Sequence, residues 1–240
     1  MKEEKIVSPQ FGESDRLSLL AAKALGTILA VSFCVEDSRF WRQRILSISL
    51  SSLMEACALD KGRSPPISAF IAVSHFCCCF SINLLGRKRV SSLIDLLVRG
   101  LVLFSAAENE NEDIVDEYFL LALSGLLKFF SWDTQMAVEQ NGKNFVPILL
   151  HVISSHTATN ASSVSITVLA LECLCLLPNY ISSHLKFETS VKIVTKLVAL
   201  NIIGSKSRTV RKAASRTRNV WFGYGVDVSS EEPFGRIGDV

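Results

Sequence analysis

The 240 residues contain no Gly-x-Ser-x-Gly elbow, no phosphate-cradling Gly-Lys-Ser/Thr loop and no dinucleotide-binding fingerprint. Serine-elbow acyl transfer, nucleotide hydrolysis and hydride transfer therefore have no local motif to start from. Histidine is scarce: the four are His75, His151, His156 and His184. His75, Cys78 and Cys79 have the i, i+3 and i+4 spacing that can aim side chains at one metal. A closed zinc site needs four ligands, however, and no second Cys-x-x-Cys or His-x-x-x-His pair is present. Core packing is the expected role of these residues, with no metal and no cofactor. No nucleophile–base pair with a catalytic motif is evident, so no catalytic residue is expected and the chain reads as a non-enzyme.

Two-residue alternation of apolar and polar side chains is also missing over any sustained run, which excludes a sheet-built domain. Net charge is small, +2 from 25 basic and 23 acidic residues. The whole-chain balance therefore argues neither for nor against an acidic partner. Residues 1–12, MKEEKIVSPQFG, show no apolar core with a small-residue cleavage site, so no secretory signal is evident. The acceptor triplet Asn160-Ala161-Ser162 is then expected to be idle. Cysteine is not scarce, but its seven copies are odd in number and sit mostly in apolar runs. They read as reduced core residues of a cytoplasmic or nuclear protein.

What is abundant is apolar surface in helical period, with 49% hydrophobic residues overall. The run from Ile67 to Gly86 has no formal charge over twenty residues, behind Pro65-Pro66 and ahead of Arg87-Lys88-Arg89. That length suits a helix buried in a helical stack and also a bilayer crossing. On a helix, Ser68, Ala72, His75, Cys79 and Asn83 form a seam of small and weakly polar groups that favours close helix packing. His75 and Asn83 would need partners in hydrocarbon, which favours water outside. A membrane-associated protein anchored through 67–86 stays as the alternative.

Helices are predicted over about 14–35, 39–59, 67–86, 90–106, 113–131, 145–155, 162–177, 187–203 and 205–222, with a short helical segment from Trp132 to the Asn141-Gly142 turn. In the helix over 90–106, Ser91, Ser92, Asp95 and Arg99 mark a solvent face. The acidic block Glu108–Glu117 falls in a loop and a first helical turn, where solvent keeps carboxylates ordinary. Histidines 151, 156 and 184 stand at or beside helix ends, where a cation complements the last carbonyls. Residues 1–12 read as a frayed lead-in, 13–222 as one domain and 223–240 as a disordered tail.

Two stretches carry a resemblance. Leu20-Ala21-Ala22-Lys23-Ala24-Leu25-Gly26 resembles the small-residue helix of armadillo and HEAT repeats, and Thr209-Val210-Arg211-Lys212-Ala213-Ala214 is similar to the Val-Arg-x-Ala-Ala core of a HEAT second helix. The acidic residue often found upstream of that arginine is absent, with Ser205 and Ser207 nearby instead. The resemblance implies an all-α fold, a right-handed α-solenoid of antiparallel helix pairs with about nine helices and roughly 40 residues per pair. It also implies a scaffold or adaptor that presents a surface to protein partners, as a monomer or within a larger complex, and a fragment or isoform of a longer solenoid is a further reading.

The best candidate surface is the last helix. Val210, Ala213, Ala214, Val220 and Trp221 are placed on one face, and Arg208, Arg211, Lys212, Arg216 and Arg218 on the other. Such a face suits an acidic peptide or, as a further alternative, nucleic acid. It also suits a plain solvated cap at the end of a stack.

Overall fold

In the computed structural model the described residues are 20–28 (22 excepted), 50–57 (53 and 56 excepted), 67–79, 87–105, 112–131, 142–156 and 160–225. Every regular element among them is helical, as the 3.6-residue period predicts, and no strand occurs among them. After helical turns at 20–28 and 50–55 come α1 (Ile67–Cys79), α2 (Arg87–Ser105), α3 (Glu112–Ser131), α4 (Gly142–Ser155), α5 (Ala161–Leu176) with a 3-10 turn (Leu177–Tyr180), α6 (Ser183–Ala199) and α7 (Arg208–Gly225). The expected lead-in, residues 29–49, the segment after Trp132 and residues 226–240 lie outside the described residues. The last helix continues to Gly225, past its expected end at 222.

The uncharged run forms a 13-residue helix as far as Cys79, and residues 80–86 lie outside the described ones. α1 is the described part of that run. Nine of its residues are buried. On its seam, Ala72 is buried while Cys79 is exposed. Gly26 sits against that seam: a Cβ there would lie 2.9 Å from the Ala72 carbonyl oxygen and 3.1 Å from the His75 Cβ. Here a missing side chain permits the close approach that the small residues predict. Lys23, in the same helical turn as Gly26, pairs with Glu117 of α3.

The helices pack in two rows. α1, α3, α5 and α7 contact one another in succession, while α2 lies on α3, α4 on α5 and α6 on α7. The first row recurs in sequence: its helices start at residues 67, 112, 161 and 208, spacings of 45, 49 and 47 residues. It is also stitched by side chains that reach the neighbouring helix's backbone. Between α3 and α1, the Lys128 ammonium donates to the Cys78 carbonyl (2.9 Å) and the Cys78 thiol to that of Leu121 (3.2 Å). The Cys173 thiol of α5 donates to Leu123 of α3 (3.6 Å), and the Tyr180 hydroxyl to Phe130. From α7, the Trp221 indole donates to Leu174 (2.9 Å) and the Thr217 hydroxyl faces Leu171 (3.1 Å).

A single apolar core runs through both rows. At its centre Phe70, Phe104 and Tyr118 meet edge to face, with centroids 5.0–6.0 Å apart. The Tyr118 hydroxyl donates to the Leu97 carbonyl at 2.9 Å. Gly100 makes room for that ring, since a Cβ there would fall 2.0 Å from the phenol oxygen. Arg99 departs from the expected solvent face of α2. It is half-buried, with its guanidinium 5.9 Å over Phe70 and donating to the Cys57 carbonyl, because the planar cation serves an aromatic face and a loop carbonyl together.

The α5 run with its 3-10 turn, Ala161–Tyr180, is 20 residues long and apolar enough by length and composition to cross a membrane. Half of that stretch is buried inside the molecule.

Candidate functional site

The basic helix is built from its amino terminus upward. The Ser207 carbonyl accepts the first helical bond from the Arg211 N–H (3.0 Å), so α7 begins at Arg208 rather than at Ser205. Its inward row is Val210, Ala214, Thr217 and Trp221, all buried, at steps of four, three and four. Ala213 and Val220 are half-buried at the margins. Thr217 is the member the sequence reading lacks. Its hydroxyl has the Leu171 and Ala213 carbonyls within 3.1 Å and the Cys175 sulfur at 3.2 Å. A threonine among arginines looks solvated in sequence, and only the neighbouring α5 gives it partners. α6 secures the other side, with the Ser190 hydroxyl donating to the Trp221 carbonyl (2.6 Å).

With that row fixed inward, Arg208, Arg211, Lys212, Arg216 and Arg218 are all exposed, as the helical period places them. Among the described residues none of the five forms an ion pair. They are not equivalent. Arg211 turns back on the preceding loop, where one guanidinium nitrogen donates to the Ser205 carbonyl (2.6 Å) and the Lys206 carbonyl (2.9 Å). Arg218 reaches only its neighbour, the Asn219 side-chain oxygen, at 3.2 Å. Four of the five are guanidinium groups, delocalised cations suited to carboxylates or phosphates.

The other constellations divide differently. His75 Nδ1 and Cys79 Sγ are 3.6 Å apart, whereas the Cys78 thiol points to Leu121 on α3. The three side chains therefore do not converge, and no group of three metal-binding side chains occurs among the described residues. Cys79 is exposed, against the expectation of a core residue. It lies on the polar seam of α1. Cys173 is buried towards α3 and Cys175 faces α7, on different sides as their spacing predicts. Burial pushes the Cys57 thiol up to about 12 and that of Cys78 to about 11, and it raises Cys77, Cys173 and Cys175 as well.

Asp116 contradicts the expectation that solvent keeps the acidic block ordinary. It is buried at 6% exposure on α3, because α4 ends over it, and its carboxylate lies 3.5 Å from His156 Nε2. Burial raises its carboxyl above the usual range, Glu112 and Asp113 add to the rise, and His156 opposes it. The His156 Nδ1 atom lies 2.9 Å from the Val152 carbonyl, so that nitrogen carries the hydrogen and Nε2 is left facing the acid. One proton held between the two makes the contact attractive. The ring also meets Phe119 edge to face at 4.9 Å. Its position after the last residue of α4 agrees with the expected helix-end role.

Comparison with protein-family models, with curated proteins and with solved structures found no match.

Proposed function

We propose that the chain is a non-catalytic interaction scaffold of the armadillo/HEAT kind, an α-solenoid in which the exposed cations of α7 contact a protein partner. The observation that carries this reading is the recurrence of the α1, α3, α5 and α7 row every 45–49 residues. Side chains tie each helix of the row to the one before it, at carbonyls 43–50 residues away. Helical repeats of about 40–47 residues stack in this way, and their long faces serve binding. The five exposed basic residues supply the charge for it.

The test is recovery of a partner on the full chain and on the variant Arg211→Glu/Arg216→Glu/Arg218→Glu. Circular dichroism should be the same for both, since none of the three side chains is buried. A partner recovered by the parent and lost by the variant supports the reading. A partner retained unchanged assigns α7 to capping the stack instead.

A further inference from the structure

α6 leaves an apolar row uncovered. Phe187, Val191 and Val198 are exposed at 54, 49 and 61%, and half-buried Val194 lies between them. Their steps are four, three and four, the spacing of a coiled-coil seam. His184 and Asn201 stand one step beyond at either end, so the row is bounded by polar groups. It spans twelve residues, about 16 Å from first to last at 1.5 Å per residue, or three helical turns. A helix face meant for water carries polar side chains at such positions. Contiguous exposed apolar groups rimmed by polar ones mark contact sites.

The charge around the row has one sign. From Ile181 to Gly223 the sequence holds five lysines and four arginines against Glu188 alone. The rest of the chain, with 16 basic and 22 acidic residues, has the opposite balance. α7 packs on α6, and the Ser190–Trp221 bond fixes the two together, so the cations of α7 belong to the same end of the molecule.

We propose that this end docks an amphipathic helix of a partner protein, with its apolar stripe seated on Phe187, Val191, Val194 and Val198 and acidic side chains flanking that stripe. The row is one side chain wide and three turns long, which matches one helix laid alongside α6. A phosphate backbone would use the cations and leave the valines bare. A bilayer surface would favour a broader apolar face than a single file. The proposal deepens the scaffold reading by naming the kind of partner, and the two can fail separately.

The experiment uses the full chain and a fluorescent synthetic peptide of three heptads, with leucine at the seam positions and glutamate beside them. The repelling glutamates keep the peptide from pairing with itself. Comparison probes are the same peptide with lysine for glutamate, a 20-base-pair DNA duplex and phosphatidylserine vesicles. The acid-flanked peptide should bind at least tenfold more tightly than the lysine form. Val191→Asp and, independently, Phe187→Ser should each weaken it about tenfold or more with unchanged circular dichroism. Arg216→Glu/Arg218→Glu should weaken it and flatten its salt dependence. Absence of binding by the acidic peptide, equal binding of both peptides, or tighter binding of DNA or vesicles that Val191→Asp leaves unchanged would each overturn the proposal. A partner that still depends on the α7 cations when the peptide fails would preserve the scaffold reading and remove only the seam.

Discussion

Asp116 is the residue whose surroundings matter most for solution behaviour. Its carboxyl is raised by burial with Glu112 and Asp113 nearby, and His156 alone opposes the rise. In the unfolded chain such a carboxyl ionises near about 3.9. Between that value and the higher folded one, the folded state holds a proton that the unfolded state has released. Stability from Asp116 is therefore greatest below about pH 3.9 and falls as pH rises through the folded value. The difference in unfolding free energy between the parent and Asp116→Asn should decline across that window and then level off. A difference that is flat or climbs with pH contradicts the assignment. Cysteine labelling is a second check at this scale. Cys57, Cys77 and Cys173 are buried and Cys79 is exposed, and thiolate access controls reaction. Alkylation of the folded chain followed by mass spectrometry should modify Cys79 ahead of those three, which should react only in denaturant. Early modification of Cys173 would mean that α5 does not lie under α3.

At the scale of single helices, caps decide the boundaries. Asn160 precedes α5, and its side-chain oxygen accepts from the Ser163 N–H at 2.7 Å. The triplet that resembles a glycosylation acceptor is thus a helix start. Asn160→Ala should lower stability by about 0.5–2 kcal/mol in denaturant melts, and a change below the error of the melt would show that the cap contributes nothing. The other end of α6 closes at Asn201, whose φ of 51° is left-handed. The Ile202 N–H returns to the Leu197 carbonyl (3.2 Å) and the Asn201 N–H to that of Val198 (2.9 Å), the paired bonds of a Schellman cap. The apolar period places α6 at 187–203, and it lies at Ser183–Ala199, closed by that cap. The period itself was a sound guide to which residues face inward. Val210, Ala214 and Trp221 are buried, and the five α7 cations are exposed. It misplaces Asp116 and Arg99, which it puts in solvent, and omits Thr217 from the inward row, because a polar residue is buried only when a second helix supplies its partner, and pairing between helices leaves no mark in local spacing.

Across the whole molecule, α3 and α5 are each enclosed by row neighbours on both sides, and α4 and α2 cover them further. α6 and α7 form an end with an apolar row and an excess of cations, where an incoming partner helix would meet both. This arrangement requires that α5, apolar enough to pass for a membrane segment, take its protection from α3, α4 and α7 in water. Hydrogen exchange of the full chain in aqueous buffer, read by mass spectrometry, measures that protection helix by helix. The account predicts slowest exchange in α3 and α5, faster exchange in α6, and selective loss of protection in α5 and α7 on Trp221→Phe. Rapid exchange of α5 in buffer, with protection gained only on adding lipid, would contradict it.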